Sequence, residues 1–235
     1  HFISVPMLCQ SIFENLNEEQ LKSLRIITTA GDRLGEQTYQ IVKEKNPNVE
    51  VVNEYGPTEC TVVSTIKRNV TLNDIAENSI SKIIDIVYVY IVDKYMHMLP
   101  AGIEGEMVVG GAGVSKGYIN APELTEKVFV KDNWREGLNV YRTGDKGKLL
   151  ENGEIGFWGR VDKQVKLRGY RIETQEIETI MESMENVDNA AVAVKTDKLV
   201  AYYTGTKLEE NIKEYIATKV PKYMVPDIVV KLDKI

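Results

Sequence analysis

Residues 24–59 read LRIITTAGDRLGEQTYQIVKEKNPNVEVVNEYGPTE, and the order of apolar and polar runs in this stretch decides the fold class. The stretch predicts a strand, a helix and a second strand, near residues 24–29, 35–45 and 49–53. Because a β-α-β unit joins parallel strands, the segments that follow the two strands should emerge at one edge of one sheet. Open α/β sheets bind ligands at that edge, which places Gly31 and residues 55–59 at a predicted binding site.

The turn after the second strand reads Tyr55-Gly56-Pro57-Thr58-Glu59 and combines an aromatic ring, a hydroxyl and a carboxylate. Tyr55 can offer a flat face to a purine, and Gly56 lets a backbone come close because it has no Cβ. The Thr58 hydroxyl can donate to phosphate oxygens, and the Glu59 carboxylate is a hard oxygen ligand for Mg²⁺. The residues alone leave two interpretations open, a nucleotide-binding turn and an ordinary surface turn.

The remaining sequence predicts two further kinds of structure. Residues 64–158 form short strand patterns broken by Gly, Pro and Asn, which predicts an all-β, barrel-like part whose hairpin turns on Asn152-Gly153 with both residues at positive φ. A helix and two strands near residues 175–184, 190–194 and 199–203, followed by a further helix, indicate a small α+β domain. We therefore predict a parallel α/β sheet portion and a β-barrel-like portion in residues 1–161, and a small mobile α+β domain in residues 162–235.

A second candidate group begins with the sequence YRTGD, which ends in Asp145. A carboxylate after a turn glycine could accept two hydrogen bonds from the hydroxyls of a ribose. Charged residues follow around the predicted domain joint, at Arg160, Asp162, Lys166, Arg168 and Arg171. Each of these residues could be part of a functional site or simply a solvated surface charge. The second interpretation is preferred for Arg168 and Arg171.

Composition and charge exclude several classes of protein. With a net charge of -6 and no basic patch, the chain is not expected to bind nucleic acid or a membrane surface. The longest apolar run, near residues 83–92, is too short to cross a bilayer. The two cysteines, Cys9 and Cys60, cannot supply a disulfide framework or a zinc site, which favours a reducing cytoplasm.

The sequence GVSKG, residues 113–117, has the Gly-x-Ser-x-Gly form of a hydrolase nucleophile elbow with Ser115 at its centre. That fold requires a histidine after the serine, whereas His1 and His97 both precede it. We therefore interpret the segment as a glycine-rich loop between strands.

Five stretches resemble, in order and spacing, the successive core motifs of the adenylation domains of nonribosomal peptide synthetases: NEYGPTE, GEMVVGGAGVSKGYINAPELTEKVF, YRTGD, GRVDKQVKLRGYRIETQEIE and VPKYMVP. These domains share a superfamily with acyl-CoA synthetases and luciferases. The resemblance implies a ligase that uses ATP and Mg²⁺ to activate an amino acid as its aminoacyl-adenylate. The acyl group would then pass to the phosphopantetheine thiol of a peptidyl carrier protein. Expected partners are the amino acid and the carrier and condensation domains of the same or another chain.

The resemblance also implies roles for individual residues. The expected nucleotide-binding residues are Gly31, Asn53, Tyr55, Gly56, Asp145 and Phe157. Tyr55 would stack on adenine, Asn53 would hydrogen-bond the edge of the base, and Asp145 would bind the ribose. The expected catalytic residues are Thr58, Glu59 and Arg160. Thr58 would contact the α-phosphate, Glu59 would hold Mg²⁺, and Arg160 would contact the ribose or a phosphate.

Asp162 matches the hinge on which the small domain of this family turns between the two half-reactions. Lys166 and Gly169 match the segment that faces the second half-reaction, the transfer to the thiol. A phosphate loop would precede Phe2 and a lysine motif would follow Ile235. The chain is therefore expected to be the later half of an adenylation domain and to be inactive alone.

The pocket for the amino-acid side chain would be lined, with Ser4 as an additional candidate, by Thr28, Ala30, Glu54, Val62 and Val63. If Glu54 points inward it should select a polar or cationic side chain, because a buried carboxylate without a partner is unfavourable; it could equally point to solvent. Two other functions stay open. One is a standalone acyl-CoA or carrier-protein ligase of the same fold, and the other is a degenerate domain that binds nucleotide without catalysis.

Overall fold

The structure of the protein is a computed structural model, which describes residues 1–162, 164–206 and 209–235 and, for Ser81, only the backbone. The chain divides into two compact units, His1–Val161 and Asp162–Ile235. In the part of the chain that the structure describes, no helix is both long enough and apolar enough to span a membrane. Each unit has its own hydrophobic core and is described by itself.

The first unit combines short helices with one long mixed sheet. Its helices are α1 (Pro6–Asn15), α2 (Glu18–Leu21), α3 (Glu36–Lys45), α4 (Leu72–Ala76) and α5 (Pro122–Val128). Its strands are β1 (Phe2–Ser4), β2 (Ile26–Ala30), β3 (Glu50–Tyr55), β4 (Thr65–Lys67), β5 (Ser79–Ile83), β6 (Val87–Val92), β7 (Gly105–Gly111), β8 (Phe129–Lys131), β9 (Asn139–Leu149) and β10 (Ile155–Arg160).

The sheet of the first unit follows the order β1-β2-β3-β4-β5-β10-β9-β7-β6, with β8 beside β9. Strands β1, β2 and β3 are parallel, and every later pair along this path is antiparallel. Ala30 is the register partner of Glu54, so β2 and β3 end at the same edge. The predicted β2-α3-β3 unit and the mixed α/β fold class are therefore confirmed.

Alternation along β2 and β3 decides which side chains meet the helices. Ile27 and Val51 are buried in a cluster with Phe13 of α1 and Val42 of α3. Because successive side chains of a strand point to opposite faces, the residues that follow them lie on the face away from these helices. Thr28, as the neighbour of Ile27, is on that second face.

The prediction that residues 64–158 are all-β is wrong at two short helices, α4 and α5. Helix α4 begins with a capping box in which the Asp74 N–H donates to Thr71 Oγ1 and the Thr71 N–H donates to Asp74 Oδ2. Helix α5 begins with Pro122, whose missing N–H is tolerated in the first turn. Local capping therefore starts helices inside a strand-rich region.

An ion-pair cluster joins α4 to the sheet. Lys67 Nζ lies 2.8 Å from Asp74 Oδ1 and 2.7 Å from Glu154 Oε1, and the Ser79 hydroxyl donates to Glu154 Oε2. Burial is the largest single influence and would raise the pKa values of the two carboxyl groups, but the hydrogen bonds and charge of Lys67, together with hydrogen bonds from Thr71 to Asp74 and from Ser79 to Glu154, lower both. The three charges are thus mutually dependent.

The hairpin between β9 and β10 has a three-residue loop, so the predicted two-residue turn on Asn152-Gly153 is wrong. The Leu150 N–H donates to the Glu154 carbonyl, which closes a loop of residues 151–153, and the Gly153 N–H donates back to the Leu150 carbonyl. Only Gly153 has a positive φ, of 78°. Asn152 instead accepts the Glu154 N–H with its side chain, as in a type I turn followed by a left-handed glycine.

The second unit packs two helices on a small sheet. Its elements are β11 (Val165–Leu167), β12 (Tyr170–Ile172), α6 (Thr174–Glu182), β13 (Val187–Lys195), β14 (Lys198–Gly205), α7 (Glu209–Ala217) and β15 (Ile228–Lys231). Strands β13 and β14 are antiparallel, and β15 is parallel to β14. Their buried side chains form one cluster with Ile177 and Met181 of α6 and Ile212 and Ile216 of α7. The small α+β domain predicted from the sequence is therefore present.

A two-residue turn with both residues at positive φ does occur, between β11 and β12. Leu167 pairs with Tyr170, and the turn residues Arg168 and Gly169 have φ of 54° and 79°. Tyr170 stacks on Tyr223 with ring centroids 4.2 Å apart and an angle of 7° between the planes. The sequence did not point to this turn because arginine is uncommon in a left-handed conformation.

Candidate functional site

The loop that follows β3 folds back on Gly56. A Cβ on this glycine would lie 2.4 Å from the Val62 carbonyl oxygen and 2.7 Å from the Ser64 nitrogen. The Ser64 N–H donates to the Tyr55 carbonyl at 2.8 Å, which fixes this close approach. Gly56 is therefore required by the chain's own backbone.

Thr58–Cys60 form a single 3-10 turn, which places Thr58 at the surface and leaves Glu59 half-buried. Thr61 and Val62 follow with φ of 59° and 71°, a left-handed conformation that is costly for β-branched residues. The Val62 side chain is 64% exposed, and Val63 is half-buried. The backbone after Glu59 is thus strained where substrate-pocket residues were predicted.

The glycine-rich segment 113–118 lies against this turn, and it leads into α5 instead of a strand. The Tyr118 hydroxyl donates to Glu59 Oε1 at 2.6 Å, and the Ser115 N–H donates to the Glu59 carbonyl at 2.8 Å. The Thr61 hydroxyl donates to the Gly113 carbonyl at 2.7 Å. Ser115 therefore contributes its backbone here, and the segment serves to hold Glu59 from both its side chain and its main chain.

Asp145 lies in a buried network and is 3% exposed. Its Oδ1 lies 2.5 Å from Arg160 Nη1, and its Oδ2 accepts the Tyr55 hydroxyl at 2.6 Å. Arg160 also donates to the Thr143 carbonyl at 3.1 Å. Burial, followed by the Asp145 charge, raises the pKa of Tyr55 well above its ordinary value, so the phenol stays protonated and donates.

Asp145 lies within strand β9 and not in a turn, which corrects the sequence interpretation. Gly144 has a φ of 69° inside the strand, and β9 carries extra residues there opposite β7, because Glu106 pairs with Lys146 and Val108 pairs with Arg142. The Gly144 carbonyl accepts the Val161 N–H at 2.7 Å. A bulge at Gly144, rather than a turn, therefore aims the carboxylate at Arg160.

The two aromatic residues expected near the base differ in accessibility. The Tyr55 ring is 7% exposed and packs in a cluster with Ile80 and Ile155. The Phe157 ring is half-buried, and its centroid is 6.2 Å from that of Tyr55. Stacking of Tyr55 on adenine stays a prediction, and Phe157 has more ring surface to offer.

Three predicted pocket residues share one face of the parallel strands. Thr28 and Ala30 are two apart on β2, and Ala30 pairs with Glu54 of β3, so all three lie on the face away from helices α1 and α3. Thr28 is buried, and its hydroxyl lies 2.8 Å from His1 Nε2. Ser4 pairs with Thr29 and therefore lies on the other face, apart from this group.

Glu54 is half-buried, and burial raises the pKa of its carboxyl group. Within the described ranges, no donor or cation is recorded at this carboxylate. Asn53 precedes it on the opposite face, where its Oδ1 accepts the Thr29 hydroxyl at 3.2 Å. Gly31 directly follows β2 and has a φ of 81°, so the backbone turns away immediately after this strand.

Glu59 suits a magnesium ion that arrives with a nucleotide. Among the described residues there is no cluster of three or more His, Cys, Asp or Glu side chains that could hold a metal ion. Glu59 is a single carboxylate, and Mg²⁺ is commonly bound by one or two carboxylates together with substrate phosphates. Glu59 is therefore a suitable ligand only if phosphates complete the coordination.

Arg168 and Arg171 are both exposed, in keeping with the preferred sequence interpretation, and each also has partners within the second unit. Arg168 Nη2 donates to the Asp197 carbonyl at 2.9 Å and lies 3.3 Å from Asp227 Oδ2. Arg171 Nε donates to Gln164 Oε1 at 2.6 Å. Both guanidinium groups therefore hold parts of the second unit together.

The expected hinge and transfer residues lie at the start of the second unit. Asp162 is exposed, and its Oδ1 accepts the Gln164 N–H at 3.1 Å. Lys166 is half-buried on β11, opposite Arg171, and Gly169 is the second residue of the β11–β12 turn. Their roles stay predictions.

The chain is similar in sequence to AMP-binding enzymes. A sequence model of AMP-binding enzymes matches residues 1–119, and one of the AMP-binding enzyme C-terminal domain matches residues 176–235. Tyrocidine synthase 3 of Brevibacillus parabrevis is 39% identical over 243 residues, which cover 100% of this chain and 4% of that protein. The chain thus spans a small part of this curated relative.

Two solved structures share the fold over nearly the whole chain. An NRPS protein containing adenylation and PCP domains, bound to a vinylsulfonamide inhibitor, has a TM-score of 0.85 and 28% identity, with coverage of 99% of this chain and 41% of that chain. The Vibrio cholerae adenylation domain AlmE, in complex with glycyl-adenosine-5'-phosphate, has a TM-score of 0.85 and 25% identity, with coverage of 99% and 46%. The chain belongs to the AMP-binding enzyme family.

Proposed function

We propose that the complete protein, of which this chain is a part, activates an amino acid as its aminoacyl-adenylate and transfers it to a carrier-protein thiol. The observation that carries the proposal is that the turn after β3 contacts two separate groups of candidate residues. Tyr55 contacts the buried Asp145–Arg160 pair, and four residues later Glu59 is held by segment 113–118. The turn after β3 thus connects the carboxylate that we propose for the ribose, Asp145, with the one that we propose for Mg²⁺, Glu59.

The proposed reaction has two steps. An amino-acid carboxylate oxygen attacks the α-phosphorus of ATP, the bond to the bridging oxygen breaks, and pyrophosphate leaves. The sulfur of phosphopantetheine then attacks the acyl carbon, the bond to AMP breaks, and the thiol proton is released. Charge develops on phosphate oxygens in the first step, so positioned cations and donors would supply much of the catalysis.

The residues take their proposed roles from where they lie. Arg160 and the Mg²⁺ on Glu59 would offset phosphate charge, and the exposed Thr58 hydroxyl would donate to the α-phosphate. A carboxylate has about four acceptor positions, so Asp145 could bind ribose hydroxyls while keeping its contacts with Tyr55 and Arg160. Gly31, Gly56, Asn53 and Phe157 would complete the nucleotide site.

The two units would divide the work. Residues 1–161 would be the later part of the large adenylation subdomain, and residues 162–235 a mobile subdomain that turns on Asp162 to bring Lys166 and Gly169 to the second step. Proposed partners are a peptidyl carrier domain with its phosphopantetheine and, in the same or another chain, a condensation domain. We propose a cytoplasmic setting, in keeping with the free thiols of Cys9 and Cys60.

The test is exchange of labelled pyrophosphate into ATP by the complete protein, with each amino acid in turn and with a panel of fatty and aryl acids. We expect one amino acid, or a small related group, to support exchange. Exchange supported only by non-amino acids would favour the standalone acyl-CoA or carrier-protein ligase. Nucleotide binding without exchange by any acid would favour the degenerate domain.

A further inference from the structure

The Tyr118 hydroxyl reaches the Glu59 side chain, whereas the contacts of Ser115 and Gly113 with the turn use the backbone of segment 113–118. The phenol donates to Glu59 Oε1 at 2.6 Å, a length typical of a hydrogen bond to an ionised oxygen. A donor at one oxygen restricts rotation of the carboxylate about its last torsion. Tyr118 can therefore set the direction in which Glu59 presents its remaining lone pairs.

Tyr118 is itself held on two sides. Its N–H donates to Thr125 Oγ1 at 2.9 Å, and its ring meets Phe129 edge-on at a centroid distance of 5.5 Å and an angle of 71°. Gly117 lets the segment approach α5, since a Cβ there would lie 2.3 Å from Thr125 Cγ2. Because backbone and ring are both anchored, the hydroxyl is a preorganised donor and not a mobile surface group.

We propose that Tyr118 is a positioning residue that orients the Glu59 carboxylate toward the Mg²⁺ carried by the nucleotide. The inference rests on the proposed function, in which Glu59 is the magnesium ligand. Groups that hydrogen-bond a metal ligand fix its orientation, and their removal typically weakens metal binding. The same contact explains why a glycine-rich segment with no catalytic side chain of its own packs on the turn.

The experiment measures binding, not turnover, on the complete protein. The ligand is an ATP analogue with a methylene group between the α- and β-phosphates, titrated by calorimetry at a series of Mg²⁺ concentrations. For Tyr118→Phe we expect the Mg²⁺ concentration for half-maximal binding to rise about tenfold or more, with metal-free binding of the analogue unchanged. Tyr39→Phe, which alters a half-buried tyrosine packed against the helical core, is the matched control and should change neither.

A double variant separates orientation of Glu59 from a general effect on the fold. In a Glu59→Gln background, Tyr118→Phe should cause no further change in the Mg²⁺ dependence, because its effect passes through the carboxylate. An unchanged Mg²⁺ dependence in Tyr118→Phe, an equal shift in both backgrounds, or loss of near-ultraviolet circular dichroism would each overturn the proposal. Failure of the proposed function would look different, as intact Mg²⁺-dependent binding without exchange by any acid.

Discussion

Removal of one charge from the Asp145–Arg160 pair should be more damaging than removal of one charge from a less buried pair that also involves β9. The side chains of Arg160 and Asp145 are 10% and 4% exposed, and their nearest atoms are 2.5 Å apart. Arg160→Met leaves Asp145 ionised and buried, with Tyr55 as its remaining partner among those described above. Breaking a buried pair in this way costs about 3–5 kcal/mol.

The matched control is Arg142→Met. Arg142 on β9 pairs with Glu106 at 2.6 Å, but its side chain is 35% exposed. A partly exposed pair of this kind contributes roughly 1 kcal/mol or less. The two substitutions remove the same type of side chain from neighbouring strands, and the pairs differ in burial, with exposures of 35% and 11% for Arg142 and Glu106 against 10% and 4% for Arg160 and Asp145.

The assay is calorimetric melting of the complete protein without ligand, followed by titration with ATP. For a protein of this size about 1 kcal/mol corresponds to roughly 2–4 °C, so Arg160→Met should lower the Tm of its transition by about 6–20 °C and Arg142→Met by about 4 °C at most. Adding Asp145→Leu should recover part of the Tm and none of the ATP affinity. Equal losses for Arg160→Met and Arg142→Met would refute the reasoning.

Three further outcomes are expected. Lys67→Met should weaken the loss of Tm in acid: its two carboxylate partners have lowered pKa values in the wild type, which therefore loses stability as pH falls through those values, and the substitution removes the cation that contributes to the lowering. Glu54→Leu should shift pyrophosphate exchange from a polar or cationic amino acid to an apolar one, because the pocket carboxylate is half-buried. Gly169→Val, which forces a β-branched residue to a φ of 79°, should destabilise the second unit by about 1–3 kcal/mol. Chemical denaturation measures the free energy of unfolding of the second unit, and the control variant Arg168→Asn should lower this free energy by roughly 1 kcal/mol or less.

Each of these has a clear contrary result. A Lys67→Met variant whose Tm falls in acid as steeply as that of the wild type would mean that the cluster is not electrostatically coupled. Wild-type preference for leucine, valine or phenylalanine would show that Glu54 does not face the substrate. A Gly169→Val variant no less stable than Arg168→Asn would contradict the strained turn.

The sequence predicted those parts of the fold that depend on local pattern. The apolar runs of β2 and β3 with helix α3 between them require only periodicity and one crossover rule, and Gly31 and Glu59 duly follow parallel strands at one edge. The order of five motifs was enough to indicate the family, because each motif is a contiguous string.

What the sequence did not predict depends on distant contacts or on exceptions to turn preferences. Tyr118 and Glu59 are far apart in the chain, and nothing in the string GVSKGY indicates where its phenol reaches. A tight turn with two positive φ values was expected at Asn152, an ordinary residue for it, but formed at Arg168, whose side chain is held by an acceptor 29 residues away. Propensity yields to tertiary context in both cases.

Mass measurement of a phosphopantetheine-bearing carrier domain, after incubation with the complete protein, ATP, Mg²⁺ and the amino acid selected in the exchange assay, tests the central claim most directly. The account predicts that the carrier gains the mass of one aminoacyl group, that hydroxylamine removes it, and that Glu59→Gln slows its appearance. An unmodified carrier in a reaction that forms the adenylate would contradict it, as would acylation of coenzyme A instead of the carrier when both are supplied.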